Sequence, residues 1–95
     1  MILVVAIVRL HPGRALENEA AVSRIMPRGR AGNPGILFYH AARCRETSDT
    51  YRVIEAYADQ AAMDRHMATA SLQASLGELM PLIADIEIKL HDVVA

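Results

Sequence analysis

The sequence predicts a single α+β domain whose four strands join one antiparallel sheet covered by helices. Three observations carry that expectation. Strand-like and helical segments follow one another as strand, helix, strand, strand, helix, strand. The 95 residues suit one hydrophobic core, so residues 1–95 are expected to form one domain. Hydrophobic residues make up 53% of the chain and charged ones 22%, which excludes a disordered polar chain.

Residues Ile2 to Leu10 are dense in Val and Ile and stop at Pro12-Gly13, a strand entering a turn. From Arg14 to Met26 the apolar residues Ala15, Leu16, Val22, Ile25 and Met26 recur at helical spacing. Pro27 and Gly29 are expected to end that helix, proline by removing a backbone donor and glycine by favouring other angles. Arg28 to Gly35 reads as a loop. Ile36 to Arg43 is the second strand, with Ile36 and Phe38 on one side and Leu37, Tyr39 and Ala41 on the other. Polar Glu46 to Thr50 turns the chain into a third strand, Tyr51 to Tyr57, and the two strands are expected to pair as a hairpin.

Asp59 stands where an N-cap belongs, its carboxylate able to accept the free amides of a first helical turn. The helix it opens carries Ala62, Met63, His66 and Met67 on one face. Thr69 reads as a second cap before Leu72, Leu76, Leu79 and Ile83 at helical spacing, a segment that Pro81 closes. The last element alternates Ile86, Ile88 and Leu90 against Asp85, Glu87, Lys89 and His91, a strand with one wet face. This order is the split-βαβ, ferredoxin-like arrangement.

Ten Lys+Arg against 11 Asp+Glu give a formal charge of -1, so overall charge offers no footing for nucleic acid. The basic residues are nine arginines and one lysine, a skew toward fixed guanidinium contacts. A single cysteine, Cys44, has no internal partner, and a reducing, cytoplasmic setting is expected. The longest apolar run, Met1 to Val8, falls far short of the ~20 residues that span a bilayer, and it lacks the flanks of a signal peptide.

The first strand is apolar on both faces: Ile2, Val4, Ala6 and Val8 on one, Leu3, Val5 and Ile7 on the other. The second strand is similar. A sheet with helices on one side only would leave such a surface in water, so a second copy of the chain is expected to cover it about a two-fold axis. The expected partner is therefore a homodimer mate held through the sheet faces.

These segments together resemble the antibiotic biosynthesis monooxygenase family of dimeric α+β barrels. Val4-Val5-Ala6 leading through Arg9 to Pro12-Gly13 is similar to its opening strand and turn. Asn33-Pro34-Gly35-Ile36-Leu37-Phe38-Tyr39 is similar to its second-strand entry. The run Ile54-Glu55-Ala56-Tyr57-Ala58-Asp59, with His66 and then Thr69 beyond it, is similar to its E-x-[WY]-x-[DS] strand end and following helix. The resemblance implies oxygenation of quinols or polyphenols without metal or flavin, molecular oxygen being the co-substrate. Glu55-Ala56-Tyr57 is also similar to a branch that isomerises a phosphorylated sugar-like signal. Ser71 stands where many family enzymes have a second histidine. The haem-degrading branch pairs a strand Asn with a Trp, whereas here the strand position is near Ala6 and the chain has no Trp.

Oxygenation without a cofactor demands a base that turns a phenol into an electron-rich phenolate, donors for the oxyanion, and a dry pocket. His66 has the side chain whose ordinary pKa lies nearest neutrality and is the expected base. Tyr57, Tyr39 and Tyr51 offer hydroxyl donors, Glu55 can orient the imidazole, and His40 is a further substrate-binding candidate. Each also has a plainer account. His66 can be a hydrogen-bonded core histidine, Glu55 half of a salt bridge to an arginine, and the tyrosines ordinary core or interface aromatics. His11 and His91 are expected in solvent. No histidine or carboxylate spacing matches a metal site, so no metal is expected. Arg24, Arg28 and Arg30 cluster at the end of the first helix, able to attract an anionic group or merely to be solvated. Three functions follow in order: a monooxygenase of a small aromatic substrate, an isomerase of a small carbonyl compound, and a non-catalytic small-molecule binding module.

Overall fold

A computed structural model describes all residues from Met1 to Ala95. Strand β1 (Ile2–Leu10) is followed by helix α1 (Ala15–Arg30), strands β2 (Ile36–Arg43) and β3 (Thr50–Tyr57), helices α2 (Gln60–Met67) and α3 (Ala70–Leu79), and strand β4 (Ile83–Asp92). A short 3₁₀ turn at Met80–Leu82 carries Pro81 and joins α3 to β4. The sheet runs β2-β3-β1-β4 and every neighbour is antiparallel, the ferredoxin-like order expected. Both caps sit where the sequence put them. Asp59 accepts from the Ala62 amide at 2.8 Å, and Thr69 accepts from the Leu72 amide at 3.3 Å. No helix is long and apolar enough to cross a membrane.

Two elements depart from expectation. Helix α1 runs through Pro27 and Gly29 to Arg30 instead of stopping at Met26. Proline forfeits the one bond its N–H would give to the Ser23 carbonyl, and the surrounding turns hold the helix across that gap. Gly29 has a different purpose from a helix stop. A Cβ there would lie 2.5 Å from Cε1 of Tyr39, so the missing side chain makes room for that ring.

The second departure is a bulge in β2. Ile36 faces Tyr57, but Phe38 faces Ala56, leaving Leu37 as an extra residue. Side chains alternate along a strand, so one extra residue reverses every later one. Ile36 and Phe38 therefore lie on opposite faces: Ile36 is buried under the helices and Phe38 is exposed on the far side. Tyr39 is turned in beneath the helices.

The core is split. Val4, Ile36, Tyr39, Tyr57 and Ala62 pack as one cluster, and Ala6, Val8, Leu10, Tyr51 and Leu82 as another. Between them the helices do not close on the sheet. Helix α3 buries none of its residues, and the expected contact of Leu76 leaves it 37% exposed. On α1, Leu16 is exposed, whereas Asn18 is buried beside Ala21 and Ile25. On β4 the expected dry face is open in the single chain, with Ile88 and Leu90 each 57% exposed.

Candidate active site

Under the helices the gap between the two clusters forms a cavity of about 320 Å³. Its floor is the inner face of the sheet, including Val4, Ala6, Val53 and Ile88, and α1, α2 and α3 roof it. Four polar side chains meet this mostly apolar wall through Asn18, Glu55, His66 and Ser75, together with the phenols of Tyr39 and Tyr51.

His66 is brought there by α2, whose start is fixed by the Asp59 cap and whose buried face carries Ala62 and His66 one turn apart. Its ring packs against Tyr39 edge-on, centroids 5.2 Å apart, and against Tyr57 at 5.9 Å. The His66 Nε2 atom is buried and has no hydrogen-bond partner. A buried polar atom left unpaired costs about 1–3 kcal/mol, so the site favours a ligand group that supplies the missing bond. Burial lowers the imidazole pKa below its ordinary 6.5, and the charge of Glu55 opposes the shift only in part. His66 is thus a neutral base at neutral pH.

Glu55 and Tyr57 leave the same face of β3, two residues apart, and the Tyr57 hydroxyl donates to the Glu55 carboxylate at 2.8 Å. The sequence suggested instead that Glu55 orients the imidazole. The strand's alternation places Glu55 within reach of its own i+2 neighbour, so it acts on His66 through its charge. Nor does an arginine salt-bridge Glu55. Tyr57 is fully buried, and burial first, then the Glu55 bond, pushes its pKa up. Burial, with the Glu55 charge second, also raises Tyr39 to about 12, so its phenol keeps its proton and can donate it to an oxyanion.

Two expected residues stand apart from this group. Tyr51 lines the cavity in the other core cluster, and its hydroxyl donates to Glu19 at 2.5 Å. Arg43 grips the same carboxylate through Nε at 2.7 Å and through a second nitrogen. His40 lies on the outer face of the sheet, exposed, its ring 4.6 Å from that of Phe38. The sheet itself separates it from His66. His11 and His91 are exposed.

Asn18 is the cavity residue that sequence reasoning passed over. It holds the inward stripe with Val22 and Ile25, and a polar residue on an apolar stripe was the available signal. No group of three or more His, Cys, Asp or Glu side chains is gathered as a metal site.

Comparisons with known proteins agree with this fold. A family profile described as "Antibiotic biosynthesis monooxygenase" matches residues 1–76. A crystal structure from Caulobacter crescentus that bears the same family name superposes with a TM-score of 0.93 at 29% identity, covering 99% of this chain and 90% of the other. One from Pseudomonas aeruginosa gives 0.84 at 27% identity, covering 99% and 94%. One from Nitrosomonas europaea gives 0.91 over the whole of both chains at 11% identity, a likeness of fold alone. No protein in the curated set matches significantly.

Proposed function

Because the chain belongs to the antibiotic biosynthesis monooxygenase family, we propose that it oxygenates a small aromatic phenol or quinol with molecular oxygen and no metal or flavin. The observation that carries the proposal is the buried, unpartnered Nε2 of His66 at the wall of an apolar cavity. A phenolic hydroxyl is the ligand group that would complete it. Nε2 takes the phenol proton, the Glu55 charge stabilises the imidazolium, and the Tyr39 hydroxyl donates to the phenolate oxygen. The ring is then electron-rich enough to pass one electron to oxygen, and the resulting radical pair collapses to a hydroperoxide. For a substrate with an oxidisable CH₂ carbon, loss of water leaves a carbonyl. One oxygen atom enters the product and the other leaves as water, and the CH₂ carbon supplies all four electrons. The apolar wall keeps water from competing.

The test is oxygen uptake with hydroquinones and anthrone-like phenols, the product assayed for one labelled oxygen atom. Uptake with that stoichiometry supports the reading. Proton exchange into a carbonyl substrate without uptake would replace it with an isomerase, and saturable binding without turnover with a binding module.

The same proposal includes a homodimer. Leu3, Val5, Ile7, Ile54 and Phe38 share the outer face of the sheet, where no helix lies. One guanidinium nitrogen of Arg52 on that face is buried without a partner. A second copy packed sheet to sheet would cover the apolar strip and give that nitrogen an acceptor. Light scattering at micromolar concentration is expected to give twice the chain mass, and a monomer would remove this part of the proposal.

A further inference from the structure

A second hollow, about 180 Å³, opens between the last turns of α1 and the body of α3. Its inner end is walled by Tyr39 and His66, and it shares Ile25, Leu72 and Ser75 with the large cavity. The two spaces therefore adjoin, with the imidazole in the wall common to both. Their walls differ in character: the large cavity is apolar, whereas the hollow is rimmed by Arg24, Arg28, Ser71, Ser75 and Glu78.

The rim charges do not cancel. Arg24 binds Glu78 through both of its terminal nitrogens, one at 3.1 Å, and this contact lowers the Glu78 pKa and raises that of Arg24. Arg28 belongs to none of the chain's five ion pairs. One arginine is thus committed across the α1–α3 seam, and the other lines the hollow without an ion-pair partner, near enough to Glu78 to help lower its pKa, leaving the rim one positive charge in excess. Ser71 adds a hydroxyl donor on the opposite wall, whereas the Ser75 hydroxyl already donates to the Ser71 carbonyl at 2.8 Å.

Resting on the reading of His66 as the substrate-facing base, we propose that this hollow is an anion-selective portal. Its ligand is an aromatic molecule carrying one anionic substituent, a carboxylate or sulfonate, held by Arg28 while the ring enters the apolar cavity beside His66. A planar guanidinium beside the Ser71 hydroxyl matches such a group, and the adjoining cavity gives the apolar body somewhere to go.

The test uses two fluorescent probes of the same apolar frame, anilinonaphthalene sulfonate and the uncharged N-phenylnaphthylamine. The wild type is expected to bind the sulfonate about fivefold more tightly than the neutral probe, a preference in the range of one exposed charge contact. Raising salt from about 20 mM to about 500 mM should erase that preference. Arg28→Gln should bring the two affinities together while leaving the neutral probe's unchanged, and Arg14→Gln, at the far end of α1, should change neither. Amide shifts of Gly29, Ser71 and Ser75 on adding the sulfonate would place the probe in the hollow. Equal affinities in the wild type, a preference that survives Arg28→Gln, an equal loss for both probes, or shifts confined elsewhere would each overturn the proposal. No turnover is measured, so the portal can fail while oxygenation stands, and the reverse.

Discussion

Strand β3 has a tyrosine near each end that donates to a glutamate, and the two pairs have opposite fates. At one end the Tyr51 hydroxyl donates to Glu19, and Arg43 closes the same carboxylate with two further bonds. Those contacts hold the Glu19 carboxyl down at about 2, with Arg43 the larger cause and Tyr51 next. At the other end the Tyr57 hydroxyl donates to Glu55, but the neighbour is an imidazole with a bare nitrogen, not an arginine. The first pair ties α1 to the sheet. The second leaves a charge, a base and a free phenol around a cavity. Similar chemical parts thus build a closed clamp or leave an imidazole nitrogen open beside a cavity, according to whether a guanidinium completes them.

The sharpest way to break this contrast is to remove the base. His66→Ala should lower the oxygenation rate about a hundredfold or more, the range for loss of a general base, as read by oxygen uptake. An unchanged rate would make the second pair as structural as the first.

Next in size is the pH response. Burial holds the His66 pKa below 6.5, so the base stays neutral through pH 7. A kcat/KM profile should be flat above pH 6.5 and fall about tenfold per unit only below the lowered value. Stability has the same sign. The unfolded chain takes up this proton first as pH falls, so the contribution of His66 is complete above 6.5 and is lost below it. An acid limb that begins above 6.5 would contradict the burial argument.

Matched phenylalanine variants sharpen the comparison further. Tyr57→Phe strips Glu55 of its donor inside the cavity and should cost about 1–3 kcal/mol in denaturant melts, with roughly tenfold slower turnover. Tyr51→Phe leaves Glu19 to Arg43, so turnover should stay within about twofold. Equal losses from the two would erase the distinction.

The smallest effect expected is at Gly29. Alanine there gains about 1 kcal/mol of helix propensity but drives its Cβ into the Tyr39 ring, an overpacking that costs about 1–3 kcal/mol. Since the ring is buried, a net loss of about 1 kcal/mol is expected. A more stable Gly29→Ala protein would show that the ring yields freely.

Much of the frame was legible because local chemistry determines it. Strand composition, the two caps and Pro81 placed every element of the sheet and both later helices. The misread features are those that depend on residues distant in sequence. Gly29 looks like a helix stop until Tyr39 is seen against it. Tyr51 looks like a free donor until Glu19 reaches it from another element. Leu76 has core-like periodicity, yet α3 spans a hollow where periodicity has nothing to pack against. His66 and Tyr57 were legible as candidates, but which partner Glu55 would choose depended on the pleat of β3.

Leu37 sets more of this site than its exposed position suggests. Were Leu37 taken into regular pairing opposite Ala56 instead of bulging out, the strand, the hairpin and the helices could still form, yet inside and outside would be exchanged along the rest of β2. Phe38 and His40 would then face α2, and Tyr39 would face the opposite side. One slip of register would thus give the cavity a second imidazole in place of a phenol without a single residue being replaced.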